Sequence, residues 1–502
     1  MEKLSIIPKP VSIKYTEGYF QSAGLPFISG DEIFHSEIKT VTEQLCGDFD
    51  REQAGNREKK IICRKNPDIK NDEAYRMIIS NYNIIIEAAA QSGMYHGLQT
   101  FRQLALSELK NGLLSLPCAE IEDYPRFSWR GFMLDCSRYF YSIPFIKRQI
   151  DILSMHHINR FHWHLTDDQG WRLPVNEYPL LAEIGSRRQD RRLPWVTFKS
   201  EFYTEDEIRE VITYATLRHV EIIPEVDLPG HASSILASYP GLGCTGGPYR
   251  VEDRFGIFED VLCAGNDQIF DLAARVFDTL VKLFPSKWVH IGGDEVMFNR
   301  WEECPKCQKR LEELGLEKMN QLQSWITSKL VQLLSQRGKT AIGWDEILDD
   351  SEKFKLPKEA VVMSWRGDAG GIQASSLGHN VIMTPNTNGC YLDYKHTETP
   401  EEIGRTLGTS TVFMGYSMNP APPEMSEEQA SRILGGQCNL WSEVIYAGKI
   451  AEYMIFPRLC AIAEAVWTPY KSKDFEDFSK RLEVHQKRLD TLGLLQYRGP
   501  LQ

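Results

Sequence analysis

Trp288-Val-His-Ile-Gly-Gly-Asp-Glu295 opens as a short apolar run and closes on two glycines and two consecutive acids. The run has the length of a buried strand, and its polar end has the composition of a strand-to-helix loop. Seven more runs share the pattern, at residues 131–135, 161–165, 220–226, 340–344, 360–365, 379–384 and 436–441. Helical periodicity between them is clearest at 144–157, 205–218, 270–284 and 319–336. Eight βα units in about 340 residues predict an α/β fold, a closed (β/α)8 TIM barrel. An open doubly wound sheet is the alternative, but its phosphate-binding Gly-x-Gly-x-x-Gly after a strand is missing.

Upstream of the barrel the pattern differs. Residues 73–80 and 83–88 read as β-rich runs joined by a short polar turn, and 93–106 has helical spacing. Leu116-Pro117 and Tyr124-Pro125 bracket a natural boundary. The expected division is a non-catalytic α+β domain at 1–124 and a catalytic barrel at 125–502. No stretch approaches the roughly 18 unbroken apolar residues of a membrane span, and the first residues lack a signal peptide's apolar core. The net charge of −12 disfavours a general electrostatic grip on nucleic acid or anionic lipid. Eleven scattered cysteines do not form a disulfide scaffold, so a cytoplasmic location is expected, or a secreted or periplasmic one where a leader has been removed.

Barrel chemistry sits where strands end. The ends here are Asp135-Cys-Ser-Arg138, His162-Trp-His-Leu-Thr-Asp-Asp168, Glu225-Val-Asp-Leu-Pro-Gly-His231, Gly292-Gly-Asp-Glu295, Trp344-Asp-Glu346, Trp365-Arg366, Tyr391-Leu-Asp393 and Trp441-Ser-Glu443. They hold acids, aromatics, His and Arg but no Lys, the composition of a site rather than of a solvated rim. Carboxylates accept from sugar hydroxyls, Arg donates to them, and indole faces pack on pyranose C–H faces. Asp294 and Glu295 are neighbours, and on a regular strand they would point to opposite faces, so both reach a pocket only if the pleat breaks at Gly292-Gly293. Their spacing excludes neither the retaining nor the inverting two-carboxylate scheme. It also suits a third, in which one acid protonates the leaving oxygen and its neighbour orients a group of the substrate.

Five motifs carry a resemblance. Arg130-Gly-Phe-Met-Leu-Asp-Cys-Ser-Arg138, His162-Trp-His-Leu-Thr-Asp-Asp-Gln-Gly-Trp171, Pro224-Glu-Val-Asp-Leu-Pro-Gly-His231, His290-Ile-Gly-Gly-Asp-Glu295 and Trp441-Ser-Glu443 resemble, in order, the motif series of the family 20 glycoside hydrolases, the β-N-acetylhexosaminidases, in their bacterial form. The likeness covers about residues 125–470, and the preceding unit is similar to that family's small non-catalytic domain. The resemblance implies exo-acting, retaining hydrolysis of terminal β-linked N-acetylglucosamine or N-acetylgalactosamine. The substrate's own acetamido oxygen attacks C1 and forms an oxazolinium intermediate.

Carried over by motif, Glu295 is the general acid and then base, with a pKa raised by a partly apolar pocket. Asp294 accepts the acetamide N–H, and Tyr391 donates to its oxygen. Arg130 binds the 3- and 4-hydroxyls, and Asp393 and Glu443 the 4- and 6-hydroxyls. Trp344, Trp365 and Trp441 wall the acetamide and floor the ring, while Asp167 and His231 orient the acid. The chain departs from relatives that stack the second sugar on a Trp from the loop before the last strand: no Trp lies between Trp365 and Trp441, leaving Tyr394 or Tyr416 for that place.

The implied partner is a carbohydrate with a terminal N-acetylhexosamine, with no cofactor and no metal. His162 and His164 share a strand face as a metallohydrolase pair would, but the strand at 340–344 offers no third His. Cys304-Pro-Lys-Cys307 reads as a pair of loop thiols, and 345–352 as an exposed loop and helix start. Segments 232–266 and 386–434 are expected to roof the pocket. A metal-dependent barrel hydrolase and a sugar-binding barrel without catalysis are the competing functional classes.

Overall fold

A computed structural model describes residues 3–49, 54–189 and 200–502. The N-terminal part is a seven-stranded mixed sheet. Its strands Tyr75–Ile79 and Asn83–Ala88 form the expected antiparallel pair, and Leu113–Asp123 joins Tyr75–Ile79 to the first strand, Ser12–Ala23. Helix Gln91–Glu108 covers one face of this sheet; residues from Gly93 to Leu106 are all buried, because the barrel lies against its other side.

The barrel closes with eight parallel strands. In chain order they are Trp129–Asp135, Arg160–His164, Glu221–Glu225, Trp288–His290, Thr340–Trp344, Val361–Ser364, Val381–Met383 and Ile433–Leu440. All eight expected runs are barrel strands. Every residue of the first is buried, since a barrel strand faces helices outside and packed side chains inside. The interior is filled by Trp129, Met133, Ile223, Ile342, Val361, Met363 and Ile382. The four helices clearest in the sequence occur as Ile143–Met155, Glu205–Thr216, Gln268–Leu283 and Met319–Ser335. Among the described residues, no helix is long and apolar enough to cross a membrane.

Register positions the chemistry. Asp135 pairs with His164, His164 with Glu225, and Glu225 with His290, so four polar strand ends share one level. The fourth strand stops at His290, short of the two glycines. Gly292 and Gly293 take φ of +66° and +99°, which breaks the pleat. A β-carbon on Gly292 would stand 1.7 Å from Asp227 Oδ1, so no other residue fits there.

The two parts are bound by buried ion pairs. Arg102 on helix Gln91–Glu108 meets Asp48 at 2.7 Å and Asp151 at 3.0 Å. Arg130 bonds Glu73, and Arg481 of helix Phe475–Thr491 binds Glu464 at 2.7 Å while donating to the Ile6 carbonyl.

Candidate active site

A cavity of about 480 Å³ opens at the C-terminal end of the barrel. It is lined by Arg138, Asp294, Glu295, Trp344, Trp365, Tyr391, Tyr394, Arg405, Trp441 and Glu443, with Gly256, Ile257, Asn386 and Leu407 at its edge. The expected residues Asp294, Glu295, Tyr391, Trp344, Trp365, Trp441 and Glu443 thus meet in one place. The broken pleat turns both acids toward it. Glu295 itself has φ +50° and His231 φ +45°, a left-handed conformation costing roughly 1–2 kcal/mol for a residue with a β-carbon. Strain at both positions is held by the packing around them.

His231 joins the acids to their support. Its Nδ1 lies 2.9 Å from Asp168 and 3.2 Å from Asp167; its Nε2 lies 3.6 Å from Asp294 and 3.5 Å from Glu295. Burial works against a charged imidazole here, but Asp167 and the other acids outweigh it and raise His231 well above its ordinary value. Asp168 shares the supporting place expected for Asp167 alone, and it is fixed by the backbone and hydroxyl of Ser233 at 2.9 and 2.6 Å. Asp167 is held by His164 and Arg138, each at 2.8 Å.

The two acids titrate in opposite directions. Burial, then the nearby charge of Asp227, raises Asp294 well above the carboxylate range. Asp227 is itself pushed up to about 7 by burial, offset in part by His231. Two buried carboxyls with oxygens within 4.8 Å of each other oppose each other's ionisation. Burial would also raise Glu295, but the hydrogen bond and charge of His231, helped by Arg138, lower it below its ordinary value. The raised pKa expected for Glu295 is therefore absent from the free site, because the cation that positions the acid also stabilises its anion.

Below this layer Glu225 accepts from His164 and from Trp344 Nε1 at 3.1 Å, and it faces His162 at 2.9 Å and His290 at 3.0 Å. Glu225 thus faces four neighbours and holds Trp344 in place. Trp365 stacks on Tyr391 with planes 9° apart and centroids at 6.2 Å, and Arg138 lies over Trp441 at 5.0 Å. Burial raises the Tyr391 phenol well above its usual value, leaving it a hydrogen-bond donor.

At the far wall Arg405 reaches Glu443 at 3.0 Å and Asp393 at 3.6 Å. Burial pushes Asp393 up to about 7 against the pull of Arg405. Several buried polar atoms accept no hydrogen bond among the described residues: Asp294 Oδ1, Asp227 Oδ2 and both oxygens of Asp393. Such atoms are costly unless a ligand satisfies them.

Four further expectations are corrected. Arg130 is not in the pocket. It is the second residue of the first strand, five residues and roughly 17 Å of extended chain below the mouth, and it is fully buried against Glu73, the His157 carbonyl and the Trp467 ring. Arg138, at the other end of the same motif, lines the cavity instead. Tyr416 is buried under Lys473, its hydroxyl accepting from the Asp474 amide, whereas Tyr394 reaches the pocket. In the segment read as an exposed loop, Asp345 is buried against Arg366. Glu346 accepts from Trp365 Nε1 and is raised to about 9 by burial and the charge of Asp294. Cys304 and Cys307 are buried, at the cap and in the first turn of helix Pro305–Glu313.

Sequence reasoning also missed Asp227 and Arg405. Asp227 stood inside a quoted motif and was passed over. Arg405 lies in the long segment after the seventh strand, where no periodicity or spacing marks it.

Comparisons with known proteins agree with this geometry. The profile of the glycosyl hydrolase family 20 catalytic domain matches residues 127–470, and that of the family's domain 2 matches 3–124. A β-hexosaminidase of Porphyromonas gingivalis is 40% identical over 435 residues, 86% of this chain and 55% of that protein, so the chain spans about half of that relative's length. A β-hexosaminidase of Vibrio furnissii is 33% identical over 92% of this chain and 76% of its own. Among solved structures, the family 20 exo-β-N-acetylglucosaminidase of Vibrio harveyi, in complex with N-acetylglucosamine, superposes with a TM-score of 0.88 at 31% identity, over 99% of this chain and 78% of that one.

Proposed function

From the premise that this chain belongs to glycosyl hydrolase family 20, we propose that it is an exo-acting, retaining β-N-acetylhexosaminidase that releases terminal β-linked N-acetylglucosamine or N-acetylgalactosamine with the help of the substrate's own acetamide. The observation that carries the reading is the pair Asp294 and Glu295, side by side in one cavity, within 3.6 Å of the same histidine nitrogen, and with opposite proton affinities.

The roles follow from the environments. Asp294 accepts the acetamide N–H. As positive charge develops on the oxazolinium ring, it stabilises the ionised form of Asp294 against the burial and the Asp227 charge that oppose it. The interaction is therefore stronger in the transition state than in the ground state, which is what lowers a barrier. Tyr391 donates to the acetamide oxygen and fixes it beneath C1, so that attack is intramolecular. Glu295 delivers a proton to the glycosidic oxygen and later takes one from water. A sugar covering the carboxyl excludes water from it and weakens its contact with His231, which raises its pKa toward that task.

Glu443 and Asp393, joined by Arg405, accept from the hydroxyls at the non-reducing end, and Arg138 supplies the guanidinium first expected of Arg130. Trp344, Trp365 and Trp441 wall the acetamide and the ring. Hydrolysis of a chromogenic N-acetylglucosaminide and of the plain glucoside, each with and without a chelator, tests the proposal. Cleavage of the first alone, with no immediate loss of rate on adding the chelator, is expected; comparable cleavage of the glucoside would refute substrate assistance.

A further inference from the structure

Four cysteines outside the pocket converge from separate stretches of chain. Cys244 and Cys263 each follow one side of the antiparallel bridge between Gly243 and Leu262, in the segment after the third strand. Cys304 caps the helix Pro305–Glu313 after the fourth, and Cys307 lies in its first turn. The sulfurs of Cys263 and Cys307 lie 3.6 Å apart, those of Cys263 and Cys304 3.8 Å, and those of Cys244 and Cys307 3.8 Å. All four lie within 4.8 Å of one another. None of them is in a disulfide.

A tetrahedron with metal–sulfur bonds of about 2.3 Å has edges of about 3.8 Å. Disulfides would need pairs at about 2.05 Å instead. The surroundings cover most of the site, with Cys244 partly exposed. Cys263 and Cys307 are fully buried and Cys304 is 5% exposed. Gly265 approaches the Cys304-to-Cys307 turn so tightly that a β-carbon on it would stand 2.3 Å from the Lys306 carbonyl carbon. Cys263 N donates to the Leu242 carbonyl at 2.8 Å, and Trp301 Nε1 to the Leu262 carbonyl at 2.9 Å, so the backbone carrying the thiols is fixed.

We propose that Cys244, Cys263, Cys304 and Cys307 bind one zinc ion as a structural tetrathiolate site. Binding exchanges the four thiol protons for the ion and leaves a complex of charge −2, which the N-terminus of helix Pro305–Glu313 partly offsets. With four protein ligands no position is open for substrate, so the ion acts as a clip. It ties the segment after His231, which brings Gly256 and Ile257 to the cavity edge, to the helices that follow Asp294 and Glu295. The pair Cys304 and Cys307 could be read as plain loop thiols only because Cys244 and Cys263 are distant in sequence.

Elemental analysis tests this without reference to activity. Protein purified under reductant and dialysed against micromolar free zinc is expected to retain one zinc per chain and to release it in step with titration of four thiols by an organomercurial. Cys307→Ser should lose the metal and Cys46→Ser should keep it. Should Cys307→Ser fail to fold, cobalt-loaded wild-type protein gives a second readout: intense visible bands of tetrahedral cobalt with thiolate-to-cobalt charge transfer are expected. Retention of no stoichiometric metal, with all four thiols freely alkylated in the native protein, would overturn the proposal. So would two disulfides among these cysteines by mass spectrometry, or cobalt spectra without thiolate bands.

Discussion

Arg130 and Arg138 lie eight residues apart on one motif, yet they occupy opposite ends of the barrel and live in opposite electrostatic settings. At the N-terminal end Arg130 is fully satisfied: Glu73 takes its fork, and two backbone carbonyls and an indole take the rest. The Glu73 carboxyl, though burial opposes its charge, is held far below the carboxylate range by Arg130 and His96. At the C-terminal end Arg138 sits among acids that outnumber the cations, several with unmatched oxygens, beside two residues in strained backbone. The first end is built to hold two domains together. The second is left incomplete, as a site that must bind something has to be.

Substitutions at the two ends should separate along the same line. The largest effect is expected for Asp294→Ala, a loss of about 10³-fold in kcat, or about 4 kcal/mol, on good and poor leaving groups alike, because formation of the intermediate is disturbed. Glu295→Gln should cost about 10²-fold on a poor leaving group and much less on an activated aryl glycoside. Steady-state kinetics with both substrates checks the pair, and equal losses for Glu295→Gln would reject its role as acid.

Arg130→Met should lower stability by about 3–5 kcal/mol, since it leaves Glu73 charged and half-buried without its partner. Denaturant unfolding measures that, while kcat/KM of the folded enzyme is expected to stay unchanged. A raised KM with unchanged stability would return Arg130 to the site. Arg405→Ala should instead lower kcat/KM by about 1.5–3 kcal/mol through the hydroxyl-binding wall.

A smaller, directional effect concerns pH. His231 lowers Glu295, so His231→Asn should raise the Glu295 carboxyl. The limb of the kcat/KM profile that falls as the acid ionises should then move to higher pH. A limb that stays in place would show that another group sets it. The smallest change is expected of Ile257→Ala at the exposed cavity edge: less than about 1 kcal/mol on the terminal sugar, read as altered preference between aryl glycoside and disaccharide.

Much of the barrel was legible because its signals are local. Strand-length apolar runs ending in acids and indoles recur eight times, and neighbouring residues suffice to show them. The same locality made Asp294 and Glu295 legible, since two glycines before two acids mark a broken pleat. It failed at Arg130, where a motif gives the residue type without saying which end of the strand it occupies. It failed again at Asp345 and Glu346, which look solvated until Arg366 and Trp365 arrive from the next strand to cover them, while Asp349, Asp350 and Glu352 are exposed as expected.

By itself, then, the sequence determined the barrel, the order of its strands and the two adjacent acids, because periodicity and backbone freedom are properties of contiguous residues. Only the tertiary structure decided which arginine meets the cavity, that Asp227 presses on the charge of Asp294 and Asp294 on that of Glu346, that His231 lowers Glu295, and that four distant thiols share one point. These depend on separations and on exclusion of water, and both are set when strands far apart in the chain are brought to one level and sealed from solvent.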